Sequence, residues 1–128
     1  MNTLFPTILN STSESNSVSL HLDISSELAH FDGHFPEHAI LPGVTQIFWA
    51  EHFSRQYLGT TIPDEAFFSH LEAVKFQQLI RPGEQVELTL EYKADKQKLY
   101  FQYRNDEQQF SSGRLVFADT PNKAMSDV

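Results

Sequence analysis

A histidine and the expected start of a helix lie close together in this sequence, and both could take part in proton-transfer chemistry. Residues 31–44 read FDGHFPEHAILPGV. His34 carries an imidazole that titrates near neutral pH, so it can accept and return a proton. Pro42 suits the first position of a helix, and the free N–H groups of a helix start stabilise negative charge on an oxygen. Together these groups could remove a proton beside a carbonyl and hold the resulting anion.

Other reactive groups are few. The chain has no cysteine, which excludes a thiol nucleophile and a Cys-based zinc site. His34 and His38 fit an H-x-x-E-H pattern, but Pro36 between them opposes the helix that a zinc protease needs there. We therefore expect no metal and no cofactor.

The periodicity of apolar residues predicts the elements that position these groups. Residues 44–58 form a helix that is apolar around most of its circumference and ends at Gly59, so we expect it to be buried. Alternating or bulky apolar patterns predict strands over 18–24, 67–77, 86–92, 99–104 and 110–118. A strand, one buried helix and then a series of antiparallel strands make an α+β plan.

Length and charge limit the class of protein. The 128 residues suit one domain, and we expect it over 17–118, between a flexible N-terminal arm over 1–16 and a flexible tail over 119–128. The net charge of −8 disfavours nucleic acid and anionic membrane as partners. No apolar run is long enough to span a bilayer, and the start lacks the basic segment of a secretory signal. We expect a cytoplasmic protein.

Two motifs in register resemble one family. Residues 33–36 (GHFP) followed by 42–44 (PGV) resemble the signature of the bacterial β-hydroxyacyl-acyl carrier protein dehydratases. Residues 68–84 are similar to that family's strand and turn after the helix, and Trp49-Ala50 is most similar to the branch attached to aryl-polyene pathways. The resemblance implies a hot-dog fold, in which a curved antiparallel sheet wraps one central helix.

The resemblance also implies roles for single residues. His34 matches the catalytic histidine that removes the α-proton, and Gly43 matches the glycine whose backbone the thioester approaches. Phe35 and Phe48 are expected to contact the acyl substrate. Phe48, however, stands where the family has a catalytic Glu or Asp, and a phenyl ring cannot donate a proton.

Two nearby residues could replace the missing acid. Glu51 and His52 follow Phe48 on the expected helix. Glu51 would need partial burial to keep a proton near neutral pH, and we rank it slightly above His52 because a carboxyl is the family's chemistry. An ordered water, or a solvating role for both side chains, is the alternative.

The resemblance implies an acyl carrier protein with an acyl-phosphopantetheine substrate as partner, and a homodimer or a dimer-based oligomer. Lys75 and Arg81 are the candidates for docking the acidic carrier. The preferred function is a dehydratase of β-hydroxyacyl thioesters, in fatty-acid-like or aryl-polyene biosynthesis. One alternative is a hot-dog thioesterase with Glu51 as base or nucleophile. The other is a non-catalytic acyl-binding subunit in which Phe48 fills the old site.

Overall fold

One antiparallel sheet packs against a helix in the computed structural model of this protein, which describes residues 4–25, 40–59, 61–63 and 66–118. In chain order the elements are β1 (Thr7–Ser13), β2 (Ser17–Asp23), α1 (Gly43–Tyr57), β3 (Phe67–Phe76), β4 (Gln85–Lys93), β5 (Lys98–Arg104) and β6 (Gln109–Ala118). The six strands lie in the order β1-β2-β4-β5-β6-β3. This arrangement confirms the predicted hot-dog architecture, and the predicted bounds of the helix hold to within one residue at each end.

The core lies between α1 and one face of the sheet. Trp49, Ala50 and Phe53 of α1 are almost completely buried. Alternate strand residues face the same side of a sheet, and those that face α1 are mostly large and apolar. The expectation of a helix buried on all sides needs one correction, since Val44 is 75% and Phe48 44% exposed. Those two positions are four residues apart, so they form one exposed stripe along the helix.

The predicted N-terminal arm over residues 1–16 is wrong for its central part. Thr7–Ser13 form β1 and pair with β2 in antiparallel register. The strand was hidden in the sequence because it lies at the edge of the sheet and all of its residues except Ile8 are exposed; an edge strand needs no apolar alternation. Before β1, the indole N–H of Trp49 donates a hydrogen bond to the Leu4 carbonyl (2.9 Å), which holds the N-terminal segment over α1.

The opposite edge of the sheet is strand β3, and it is apolar. Phe68, Leu71 and Phe76 are 38–51% exposed. Their strand partners on β6 are Phe117, Leu115 and Ser111, all of which are buried. Cross-strand partners share a face of the sheet, so these side chains lie on the inner face, beyond the cover of α1. Together with the helix stripe of Val44 and Phe48 they form what we call the edge surface.

In the described part of the chain, α1 falls short of the length that a membrane-spanning helix needs.

Candidate active site at the start of the central helix

The first turn of α1 presents unused backbone N–H groups. The N-cap residue is Pro42, whose own side chain makes no capping hydrogen bond. The Thr45 and Gln46 amides donate to the Pro42 carbonyl at 3.1 and 3.2 Å. The amides of Gly43 and Val44, in contrast, make no hydrogen bond to the described part of the chain. Two N–H donors at the positive end of a helix dipole can stabilise an oxyanion.

Gly43 lies directly against an aromatic ring of β3. A Cβ atom at position 43 would come within 2.6 Å of Cζ and 2.9 Å of Cε1 of Phe76. No real Cβ contact is that short, so a side chain at this position would displace the ring. The absence of a side chain at Gly43 therefore lets the Phe76 ring pack directly against the backbone of the first turn.

A buried polar cluster between this turn and the inner face of the sheet fixes the turn, and it was not predicted from the sequence. The Gln46 side chain donates through Nε2 to the Leu41 carbonyl (3.1 Å) and accepts from Ser111 Oγ through Oε1 (2.6 Å). The Tyr103 hydroxyl donates to the Gln46 carbonyl (2.7 Å). A signal was present: Gln46 lies three, four and seven residues before Trp49, Ala50 and Phe53, so it is a polar residue on the apolar face of the helix.

The two predicted carrier-docking residues lie in different places. The Leu41 amide donates to the Ile80 carbonyl (2.7 Å), which brings the next residue, Arg81, beside the segment that leads into α1. Lys75 instead precedes the inward-facing Phe76, and its strand partner is Ser112. Lys75 and Ser112 line a groove of about 750 Å³ on the outer, polar face of the sheet.

Glu51 is held by an arginine of its own helix. Its Oε2 atom lies 3.3 Å from both Nε and Nη2 of Arg55. Arg55 also donates to the Ala66 carbonyl (2.8 Å) and stacks over Phe117, with 5.2 Å from Cζ to the ring centroid. Glu51 is eight residues after Gly43, about 12 Å along the axis at 1.5 Å per residue. Glu51 therefore bonds Arg55 at a position about two helical turns beyond the first turn of α1.

His52 belongs to an aromatic cluster. Its ring stacks on Phe5 with centroids 4.3 Å apart and meets Phe53 edge-on at 5.2 Å. The ring of Phe48 also stacks on Phe5, with centroids 5.5 Å apart. Phe5 comes from the N-terminal segment, so its role could not be found from the helix sequence. The cluster gives His52 a packing role. It also places the rings of Phe5 and His52 against Phe48, which belongs to the exposed stripe of α1.

The two remaining predicted site residues, His34 and Phe35, lie outside the described residues. Their assignment stays a prediction based on the motif GHFP and on its spacing to Gly43. Of the other predicted site residues, the structure brings only Gly43, Phe48 and Arg81 to the first half of α1 or to the segment leading into it.

A comparison with protein families agrees with this architecture. The family model described as ApeI-like, ApeI dehydratase, matches residues 10–114 of the chain. Curated relatives include the 3-hydroxyacyl-[acyl-carrier-protein] dehydratase FabZ of Magnetococcus marinus, which is 31% identical over 75 residues, 53% of this chain and 49% of the relative. The chain thus spans about half the length of the curated relatives it matches.

Solved structures extend the likeness to the whole fold. The dehydratase heterocomplex ApeI:P from Xenorhabdus doucetiae has a chain of 30% identity and TM-score 0.79, with 89% of this chain and 98% of that chain covered. An uncharacterised protein from Erwinia carotovora subsp. atroseptica has 32% identity and TM-score 0.75, with 89% and 96% covered. Mouse thioesterase superfamily member 2, at 12% identity and TM-score 0.61 over 85% of this chain and 77% of that one, shares the fold alone.

Proposed function

Because the chain belongs to the ApeI-like dehydratase family, we propose that it removes water from β-hydroxyacyl thioesters carried on an acyl carrier protein. The observation that carries this proposal is the pair of unused amides at Gly43 and Val44. Dehydration of a thioester passes through an enolate-like species, whose negative oxygen needs N–H donors in a fixed position. Gly43 has no side chain of its own beside this N–H, and among the described residues the atoms nearest to where a Cβ would stand belong to the Phe76 ring.

The chemistry has two proton transfers. His34, as a neutral imidazole, takes the proton from the α-carbon while the Gly43 amide holds the carbonyl oxygen. The C–O bond at the β-carbon then breaks, the α–β double bond forms, and the leaving hydroxyl takes up a proton to become water. Glu51 is engaged by Arg55 and His52 by Phe5. We therefore assign the second proton to the His34 imidazolium, which returns to its neutral form.

A second subunit covers the edge surface. Seven of the nine large hydrophobic side chains exposed in the described residues lie on α1 or between residues 67 and 79. An open apolar strand edge is an aggregation hazard unless another chain pairs with it. Pairing of β3 with the β3 strand of a second hot-dog chain would cover both the edge and the helix stripe. We propose a homodimer as the basic unit.

Phe48 favours one alternative. In a homodimer both helices carry a phenyl ring at the position of the family's acid, and the similar Xenorhabdus structure is described as a dehydratase heterocomplex. The chain could then be one half of a two-chain dehydratase in which the other chain supplies the acid. Such a subunit would bind an acyl thioester and show no turnover by itself.

The carrier protein would approach from the side of Arg81. This residue is exposed and follows Ile80, whose carbonyl is bonded to the segment before Gly43. An acidic carrier needs such a local basic group because the chain as a whole is negative. Lys75 faces the outer groove and is the weaker candidate.

One assay tests the function and separates the alternatives. The purified chain is incubated with β-hydroxyacyl thioesters on carrier protein, and the acyl group and free thiol are followed. We expect loss of one water from the acyl group without release of thiol. Release of thiol would identify a thioesterase. Binding of the acyl-carrier protein with neither change would identify a subunit that requires a second chain.

A further inference from the structure

The buried polar cluster at the first turn of α1 lies on a row of residues from three neighbouring strands. Phe76 on β3 pairs with Ser111 on β6, and Ser111 pairs with Tyr103 on β5. These three side chains form one row across the inner face of the sheet. Phe76 contacts Gly43, while Ser111 and Tyr103 bond to Gln46. The row therefore contacts the helix at both Gly43 and the residue three positions later.

The cluster is buried and its hydrogen bonds have one consistent direction. Gln46 is 3% exposed, and Tyr103 and Ser111 are fully buried. The Leu41 carbonyl can only accept, so the Gln46 amide nitrogen must face it, and Oε1 then faces Ser111. Burial raises the pKa of Tyr103 well above its usual value, so its hydroxyl stays protonated and remains a donor. Buried polar groups in such a network hold one geometry, because any other leaves a polar atom without a partner.

The first turn needs this support because it lacks ordinary capping. Most helix starts are fixed by a Ser, Thr, Asp or Asn side chain that accepts from the second or third amide. Here the N-cap is Pro42, which has no such side chain. The bond from Gln46 Nε2 to the Leu41 carbonyl instead closes a loop around residues 41–46. That loop contains both unused amides.

We propose that Gln46 is a positioning residue, which, anchored by Ser111 and Tyr103, holds the Gly43 and Val44 amides at the place where the thioester oxygen develops charge. This role rests on the proposed function. Gln46 does not need to touch the substrate, since its side chain points into the core. It acts through the backbone of the turn that it closes.

The test compares Gln46→Met, which keeps size and helix propensity but loses both side-chain hydrogen bonds, with Ser54→Ala. Ser54 is a matched control because it is also fully buried on α1, and its hydroxyl donates to the Glu51 carbonyl at 2.7 Å, away from the first turn. We expect Gln46→Met to lower kcat by about 10- to 100-fold, with KM changed less than about threefold, since misplaced donors cost mainly transition-state stabilisation. Ser54→Ala should leave kcat within about twofold of wild type at a comparable loss of Tm.

A coupling measurement separates a network from a single bond. Ser111→Ala removes the donor to Gln46 Oε1. We expect the double variant Gln46→Met with Ser111→Ala to be no slower than Gln46→Met alone, because both changes break the same connection. Multiplied losses in kcat would show that the two residues act separately and would overturn the network.

Amide hydrogen exchange tests the positioning without any turnover. In Gln46→Met the Thr45 amide, which donates to the Pro42 carbonyl, should exchange about 10-fold faster. The Leu58 amide, bonded to Ser54 O at 2.7 Å, should exchange as in wild type. A folded Gln46→Met protein with unchanged Thr45 exchange, or with wild-type kcat, overturns the positioning role. If the wild-type chain fails to dehydrate, the proposed function fails, and the exchange result still decides whether Gln46 holds the turn.

Discussion

The ring of Phe76 lies so close to Gly43 that a single added methyl group would overlap it, at 2.6 Å from Cζ. This contact links the edge strand β3 to the first turn of the central helix. Phe76 is 51% exposed in the single chain, so residues of the same chain leave the ring room to move if it is pushed. A side chain at position 43 should therefore disturb the geometry of the site more than it lowers the stability of the fold.

Gly43→Ala should therefore reduce dehydration strongly. The new methyl group pushes the Phe76 ring aside and occupies the space beside the amide. The N–H remains, but the thioester oxygen no longer reaches it in good geometry, and loss of one oxyanion contact costs about 10²- to 10³-fold in kcat. Steady-state kinetics with a carrier-bound substrate measures the effect. The double variant with Phe76→Leu should recover part of the loss, since leucine is shorter. Wild-type kcat in Gly43→Ala would remove the Gly43 amide from the mechanism.

His34→Ala should lower dehydration by about 10²-fold or more, which is the usual contribution of a general base. The circular dichroism spectrum should not change. His21→Ala is the control, because His21 is an exposed residue of β2 and should keep full activity. Turnover of His34→Ala within a few-fold of wild type would exclude His34 as the base.

Glu51→Gln should keep at least about a third of wild-type kcat, because the carboxylate is paired with Arg55 and kinetic losses from general acids are far larger. The free energy of unfolding should fall by less than about 1 kcal/mol, as for other half-exposed pairs one helical turn apart. His52→Gln should likewise be tolerated. If Glu51→Gln instead lowers kcat by about 10²-fold or more, and the residual rate no longer falls at high pH as a carboxyl acid would require, Glu51 is the acid after all.

Leu71→Glu should convert the proposed homodimer into a monomer. Leu71 lies on the edge surface and is 38% exposed, and a buried unpaired carboxylate in a subunit interface is strongly unfavourable. Light scattering after size-exclusion chromatography gives the mass. Leu9→Glu is the matched control, since Leu9 is 48% exposed on the opposite edge strand β1. A wild-type chain that is a monomer and active would contradict the shared edge.

Glu72 should make stability depend on pH in the acid range. A hydrogen bond from Lys98, whose Nζ lies 2.9 Å from Oε1, lowers the pKa of Glu72, and the charges of Lys98, Arg114 and His70 act in the same direction. A carboxyl with a lower pKa when folded stabilises the protein above its unfolded pKa, about 4.3. That stabilisation is lost as pH falls through the folded value. Glu72→Gln should have a lower Tm than wild type at pH 7, and the difference in Tm between the two proteins should be smaller below pH 4. An equal difference at both pH values would contradict this.

The local sequence was sufficient for elements whose residues carry their own periodic signal. The helix over Gly43–Tyr57 and the strands of the second half were predictable because 3.6- and 2-residue patterns set which side chains face the core. The motif around Gly43 also identified the helix start as the candidate site. β1 escaped prediction because an exposed edge strand is stabilised by the backbone of its neighbour, and its side chains carry no pattern.

Only the tertiary structure decided which side chains act together. Gln46, Tyr103 and Ser111 are up to 65 residues apart in sequence, yet their hydrogen bonds are 2.6–2.7 Å long. Glu51 was a plausible acid in the sequence, and only the structure shows that its carboxyl group is paired with Arg55, which also donates to the Ala66 carbonyl. Residue type fixes what a side chain can do, and the sequence shows it. Whether a carboxyl is paired, or a buried amide has partners, depends on strands brought together from distant parts of the chain, which local spacing does not encode.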